Sequence, residues 1–145
     1  MSLPAPKQSP NVVFSRYKSN IRDLQSIVLS AQKGIQAKAF FDVASLSGID
    51  RNQLAGLLNV SLKTLTRYHQ QKKKLSAGKS ERVLKLLALY KKGEEIFGNV
   101  NEFRKWMNEP AYGLGNMIPV SLLQTSGGID LTMEELSRIE FGDLA

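Results

Sequence analysis

Cysteine is absent from this 145-residue chain, and His69 is its one histidine. Disulfides, thiol nucleophiles and Cys/His zinc sites are therefore excluded, and His69 lacks partners of its kind for a metal. No apolar run approaches the roughly 20 residues of a membrane helix. The opening residues, MSLPAPKQSPNVV, lack the apolar core of a secretory leader. Two-residue alternation over strand length is missing too, as is a glycine-rich phosphate loop after a strand. These absences predict an all-α protein of a reducing cytoplasm, not an enzyme, with no cofactor and no metal.

What is present is ordinary for a globular chain, 42% hydrophobic and 23% charged residues, but the charge is uneven. The net charge is +7 and the pI about 9.7. Residues 63–92 carry ten Lys or Arg against the single acid Glu81, whereas residues 93–145 carry three basic residues against nine acids. A basic and an acidic module in one chain imply different partners.

Apolar spacing and capping residues place about seven helices. Residues 1–13, with Pro4, Pro6 and Pro10, read as a loose tail. Tyr17, Ile21, Leu24, Ile27 and Val28 suggest a helix from Phe14 to about Ser30. Ile35, Ala39, Phe40, Val43 and Leu46 trace a clearer one, stopped by Gly48. Asp50 with Gln53 and Ser61 open the next two, and a longer helix begins near Ser76 or Ser80, burying Val83, Leu84, Leu87 and Tyr90 or a close subset. After a seam near residues 93–99, Asn99 with Glu102 caps a helix that Pro110 ends. Pro119 starts a short helix that Gly127-Gly128 stops. Thr132 with Glu135 caps the last helix, stapled by Leu131 and Leu136 and terminated by Gly142. Phe103, Trp106, Leu122, Leu123, Leu136 and Ile139 read as core.

Arg51–Gln70, RNQLAGLLNVSLKTLTRYHQ, has helix-turn-helix spacing. Ala55 permits close approach of the two helices, Asn59-Val60-Ser61 forms the turn, and Leu54, Leu58, Val60, Leu65 and Tyr68 lock the pair. Asn59 holds the turn position usually given to glycine and tolerates the left-handed conformation. With Leu65 and Tyr68 inward, Ser61, Lys63, Thr64, Thr66, Arg67 and Gln70 face solvent. Arg67 suits guanine and Gln70 adenine, while Ser61 or Thr66 suit phosphate or base edges. Lys72, Lys73 and Lys74 follow, able to grip the flanking DNA backbone. His69 reads as a surface contact or a phosphate hydrogen bond.

A second ordered pattern runs through the acidic half: Ile96-Phe97-Gly98, Phe103, Trp106, Met107, Pro110, Leu114-Gly115, Pro119, Leu122-Leu123, Gly127-Gly128, and Leu136-Ser137-Arg138-Ile139-Glu140 with Gly142. It resembles the toxin-binding domain of the Xre/MbcA/ParS antitoxins, and the helix-turn-helix upstream resembles their Xre-like half. Asn116, where the family loop often has glycine, and Met107 in place of leucine depart from the pattern. The resemblance covers roughly residues 30–145. It implies an Xre-like DNA-binding domain over residues 31–95, a small helical toxin-binding domain over 96–145, and an unassigned segment over 1–30. It also implies a partner toxin of the RES-domain, NAD-consuming type, an operator DNA, and a homodimer.

On that resemblance, the C-terminal helix and tail cover the toxin's cleft, with Glu134, Glu135, Arg138, Glu140, Asp143, Leu144 and Ala145 as candidate contacts. Chemistry alone also allows Glu134, Glu135, Glu140 and Asp143 to be solubility charges or helix-dipole partners. Arg138 fits either an internal ion pair or a contact with the partner. A stand-alone transcription regulator, its C-terminal half dimerising or sensing a ligand, is the competing reading.

Overall fold

The computed structural model describes residues 8–142, so the expectations for the first seven residues and for Asp143, Leu144 and Ala145 lie outside the described residues. Among the described residues there are eight α-helices and no strand: α1 Pro10–Tyr17, α2 Leu24–Lys33, α3 Lys38–Ser47, α4 Arg51–Leu57, α5 Leu62–Gln70, α6 Ala77–Phe97, α7 Val100–Met107 and α8 Ser126–Glu140. The all-α expectation holds. Two compact units divide between Ala88 and Leu89, inside α6.

In the first unit the expected Phe14–Ser30 helix is two helices. Asp23, in extended backbone, accepts a hydrogen bond from the Ser26 N–H at 2.7 Å and starts α2 afresh. The loose tail expected over residues 1–13 does not extend past Ser9 among the described residues, because Pro10 sits in the first turn of α1, and Val13 and Phe14 are buried. Leu24, read as part of an apolar face, is 64% exposed. Helix α1 packs on α3 through a buried polar clamp. Asp42 accepts from the Tyr17 hydroxyl and from Arg16 Nη1 (3.0 Å), with Lys38 Nζ at 3.9 Å. Burial, and secondarily the bond to Asp42, push the Tyr17 phenol pKa well up.

Helix α3 follows expectation. Its face of Ala39, Phe40, Val43 and Leu46 is buried, and Gly48 takes the left-handed conformation (φ 72°) that ends it. Helix α6 buries more than one stripe: Leu86 and Leu89 are as inaccessible as Val83, Leu84, Leu87 and Tyr90. The helix supplies residues to both units, which the search for one apolar face missed.

In the second unit, Tyr90, Phe97, Phe103 and Trp106 form an aromatic cluster with ring centroids 5.0–5.9 Å apart. Gly93 makes room for it, since a Cβ there would lie 2.3 Å from the Phe103 ring. Phe103, Leu123 and Leu136 are buried as expected, whereas Trp106, Leu122 and Ile139 are only half-buried.

The start of the last helix differs from the expectation. Thr125 caps it, accepting from the Gly128 N–H at 3.0 Å, so Gly127-Gly128 lie in its first turn and stop nothing. Gly128 is glycine because a Cβ would meet the Leu122 carbonyl oxygen at 1.7 Å. Thr132 is buried mid-helix, its hydroxyl donating to the Gly128 carbonyl at 2.9 Å, and is no cap.

Candidate functional site

Helices α4 and α5 pack directly on one another, with Ala55 buried at their approach. Asp50 caps α4 by accepting from the Asn52 and Gln53 N–H groups (3.0 and 3.2 Å). Asn59 turns the chain at φ 57°, and the Val60 N–H donates to the Ala55 carbonyl at 3.2 Å. Ser61 then caps α5, accepting from the Thr64 N–H at 3.0 Å. Each device is local, which is why the motif was readable from spacing.

Leu65 is the fully buried anchor of α5, while Tyr68, expected inside, is only half-buried. Its ring serves as a platform instead: the Arg67 guanidinium lies 5.6 Å and the Lys73 ammonium 5.3 Å from its centroid. Ser61, Lys63, Arg67 and Gln70 are exposed as expected. Thr64 and Thr66 are half-buried, and the Thr64 hydroxyl accepts from Ser61 at 2.8 Å, so the Ser61 and Thr64 hydroxyls are engaged in the cap. His69 packs on Phe41, ring centroids 5.1 Å apart, and Arg51 lies 5.1 Å from the same ring. That is a surface contact of the kind expected.

The lysine run is held, not loose. Lys72 takes a left-handed conformation (φ 56°), and the Lys73 N–H closes back on the Tyr68 carbonyl at 2.8 Å. The segment then pairs with residues 35–37: the Ala37 N–H donates to the Lys73 carbonyl (3.0 Å), and the Leu75 N–H to the Ile35 carbonyl (2.8 Å). Buried Ser80 accepts from the Ile35 N–H at 3.0 Å and donates to the Leu75 carbonyl at 3.2 Å. Among the described residues, Lys63, Arg67, Lys72, Lys73 and Lys74 make no ion pair, which leaves five cations available to a polyanion.

In the second unit, single 3₁₀ turns at Tyr112–Leu114 and Pro119–Leu122 both pack against α8. Residues 111–117 form a closed loop. The Ala111 N–H donates to the Met117 carbonyl at 3.0 Å, the Asn116 N–H donates to the Ala111 carbonyl at 2.9 Å, and Gly115 and Asn116 are both left-handed.

Residues 26–88 match the family model described as the antitoxin Xre-like helix-turn-helix domain, and residues 92–142 match that of the antitoxin Xre/MbcA/ParS C-terminal toxin-binding domain. The chain belongs to the Xre/MbcA/ParS antitoxin family. Two curated relatives are named Antitoxin Xre. That of Photorhabdus laumondii subsp. laumondii is 23% identical over 111 residues, covering 76% of this chain and 75% of its own. That of Yersinia enterocolitica is 23% identical over 117 residues, covering 80% and 79%. This antitoxin-family chain joins a DNA-binding helix-turn-helix to a toxin-binding domain. No helix among the described residues is long and apolar enough to cross a membrane.

Two of the candidate toxin contacts change character. Glu135, read as an exposed first-turn acid, is 1% exposed and mid-helix, with its carboxylate beneath Gly113; a Cβ on Gly113 would lie 1.8 Å from it. Arg138 Nε donates to that carboxylate at 2.8 Å, so Arg138 forms the internal ion pair. Glu134 is exposed but also lies past the first turn, so the helix-dipole argument for it fails. Glu140 is exposed and pairs with Lys92 at 3.0 Å. The spacing offered Ser80 only as a helix start and gave no sign of its bond with the Ile35 N–H, because Ile35 lies 45 residues away.

Proposed function

We propose that this antitoxin neutralises a RES-domain, NAD-consuming toxin and represses its own operon as a homodimer. Its second domain docks on the toxin, and the segment from Thr132 to Ala145 covers the cleft, with Glu134, Arg138, Glu140 and the tail residues Asp143, Leu144 and Ala145 as the contacts. Glu135 acts through Arg138 and the loop above it. Inhibition is steric; the chain itself does no chemistry and needs no cofactor.

DNA binding uses Ser61, Lys63, Thr64, Thr66, Arg67 and Gln70 on the recognition helix, flanked by Lys72, Lys73 and Lys74. The dimer sets two such helices into successive major grooves, about 34 Å apart. The observation that carries this reading is the row of five cations without acidic partners on and after α5, in a chain whose other domain matches a toxin-binding family.

The test is co-expression with the product of the adjacent gene, followed by pull-down and an NAD-consumption assay. A stable complex with NAD consumption suppressed supports the proposal; no complex and unaltered NAD sink it. Arg67→Ala should weaken operator binding roughly 10- to 100-fold, the worth of one bidentate base contact, while neutralisation stays intact. Equal loss of both activities would break the division of labour.

A further inference from the structure

The geometry points to the 111–118 loop, with Tyr112 at its tip, as an apolar anchor that inserts into a hydrophobic pocket of the toxin. The inference rests on the toxin-binding reading and names a surface outside the C-terminal helix and tail. Tyr112 is 84% exposed, the most of any large apolar side chain described, and Met117 (48%) and Ile118 (40%) stand beside it in sequence. Three such residues in water are costly for a surface with no further role.

The loop is also pre-organised. The Ala111–Met117 bridge, the Asn116 and Gly115 N–H bonds to the Ala111 and Tyr112 carbonyls, and two consecutive left-handed residues fix its course. Beneath it, the Glu135 carboxylate fills the space against Gly113 and is held by Arg138. Leu131, one turn before Glu135 on the same side of α8, is a further exposed apolar group. An aromatic presented on a closed backbone loop costs less ordering on binding than one on a loose segment, the property of interface hot spots. The occupant is the toxin because this loop belongs to the domain that matches a toxin-binding family, and no basic side chain lies between Ala111 and Ile118 to suit a polyanion.

The experiment measures affinity of the full chain for the adjacent gene's product, using wild type, Tyr112→Ser and Met117→Gln, with thermal melting and duplex-DNA binding as controls. Tyr112→Ser should weaken the complex roughly 30-fold or more and Met117→Gln by a smaller factor, leaving melting and DNA binding unchanged. Affinities within twofold of wild type would overturn the anchor while leaving the toxin-binding reading intact. Absence of any complex with the wild-type chain would overturn that reading, and the anchor with it. Should Tyr112→Ser melt early, Met117→Gln decides alone.

Discussion

The two units use their charges in opposite ways. In Leu89–Ala145 every basic side chain is engaged: Lys91 with Glu95, Lys92 with Glu140, Lys105 with Glu102, Arg138 with Glu135, and buried Arg104 with a partner of its own. Among the described residues, five cations on and after the recognition helix of Met1–Ala88 have no acid, although the sequence of that unit holds fifteen basic residues against four acids. Exposed pairs contribute little stability, so the difference concerns recognition more than folding. Unneutralised charge with a wet aromatic platform suits phosphate. An acidic unit whose cations are all engaged, with an exposed tyrosine, suits a protein.

The largest expected effect comes from breaking the second unit alone. In Gly128→Ala the new methyl must displace the Leu122 backbone carbonyl, and no side chain can yield in its place. The variant should lose about 3 kcal/mol or more, comparable to severe overpacking. Limited proteolysis should cut residues 108–142 first, and toxin capture should fall with it. Duplex binding through Arg67 and the lysine run should persist. Loss of duplex binding to the same degree would show that the two surfaces do not behave separately.

A smaller effect distinguishes the buried tyrosines, Tyr17 in the first unit and Tyr90 in the second. Both phenol pKa values are raised above the ordinary 10.0, chiefly by burial. The unfolded chain therefore releases these protons at a pH where the folded chain retains them. The stability this represents is fully present below pH 10 and is lost as the pH rises above it. Tyr17→Phe deletes the donor to Asp42 and should cost about 2 kcal/mol at neutral pH, the range for a bond to a charged acceptor. In exchange, its stability should decline less steeply than wild type above pH 10, the remaining slope coming from Tyr90. An unchanged alkaline slope in urea titrations would show that Tyr17 does not titrate with folding.

What sequence reading recovered in each unit follows from distance along the chain. Asp50, Asn59, Ser61 and Asn99 act on groups within a few residues, so their roles were legible, and with them the helix-turn-helix and the start of α7. The same local rule misled at Thr132 and Glu135. They match a capping box, yet both are mid-helix because Leu122 and Gly128 approach closely and Thr125 takes the cap. The Gln36–Lys74 bridge and the bond from the Ile35 N–H to Ser80 join residues about forty apart in sequence, and no periodicity records such a pairing. Exposure of Tyr112 likewise depends on the closed loop and on Glu135 beneath it, neither of which composition reveals.

The smallest effect sharpens the comparison most, because stability and function should move in opposite directions. Lys72 adopts a left-handed conformation at the end of α5, where glycine is the usual residue. Lys72→Gly relieves a penalty of about 1 kcal/mol, partly offset by the freer unfolded chain, so melting should rise by only a degree or two. The substitution also removes one of the five unpaired cations. The slope of log affinity against log salt on duplex DNA should therefore shrink by about 0.9, the value for one phosphate contact. Asn116, left-handed in the toxin-binding unit, is the matched control. Asn116→Gly should change melting less, because asparagine tolerates the left-handed conformation better than lysine, with no change in the salt slope. If Lys72→Gly left the slope intact as well, the lysine run would be a solvated strap, and the DNA surface would end with α5.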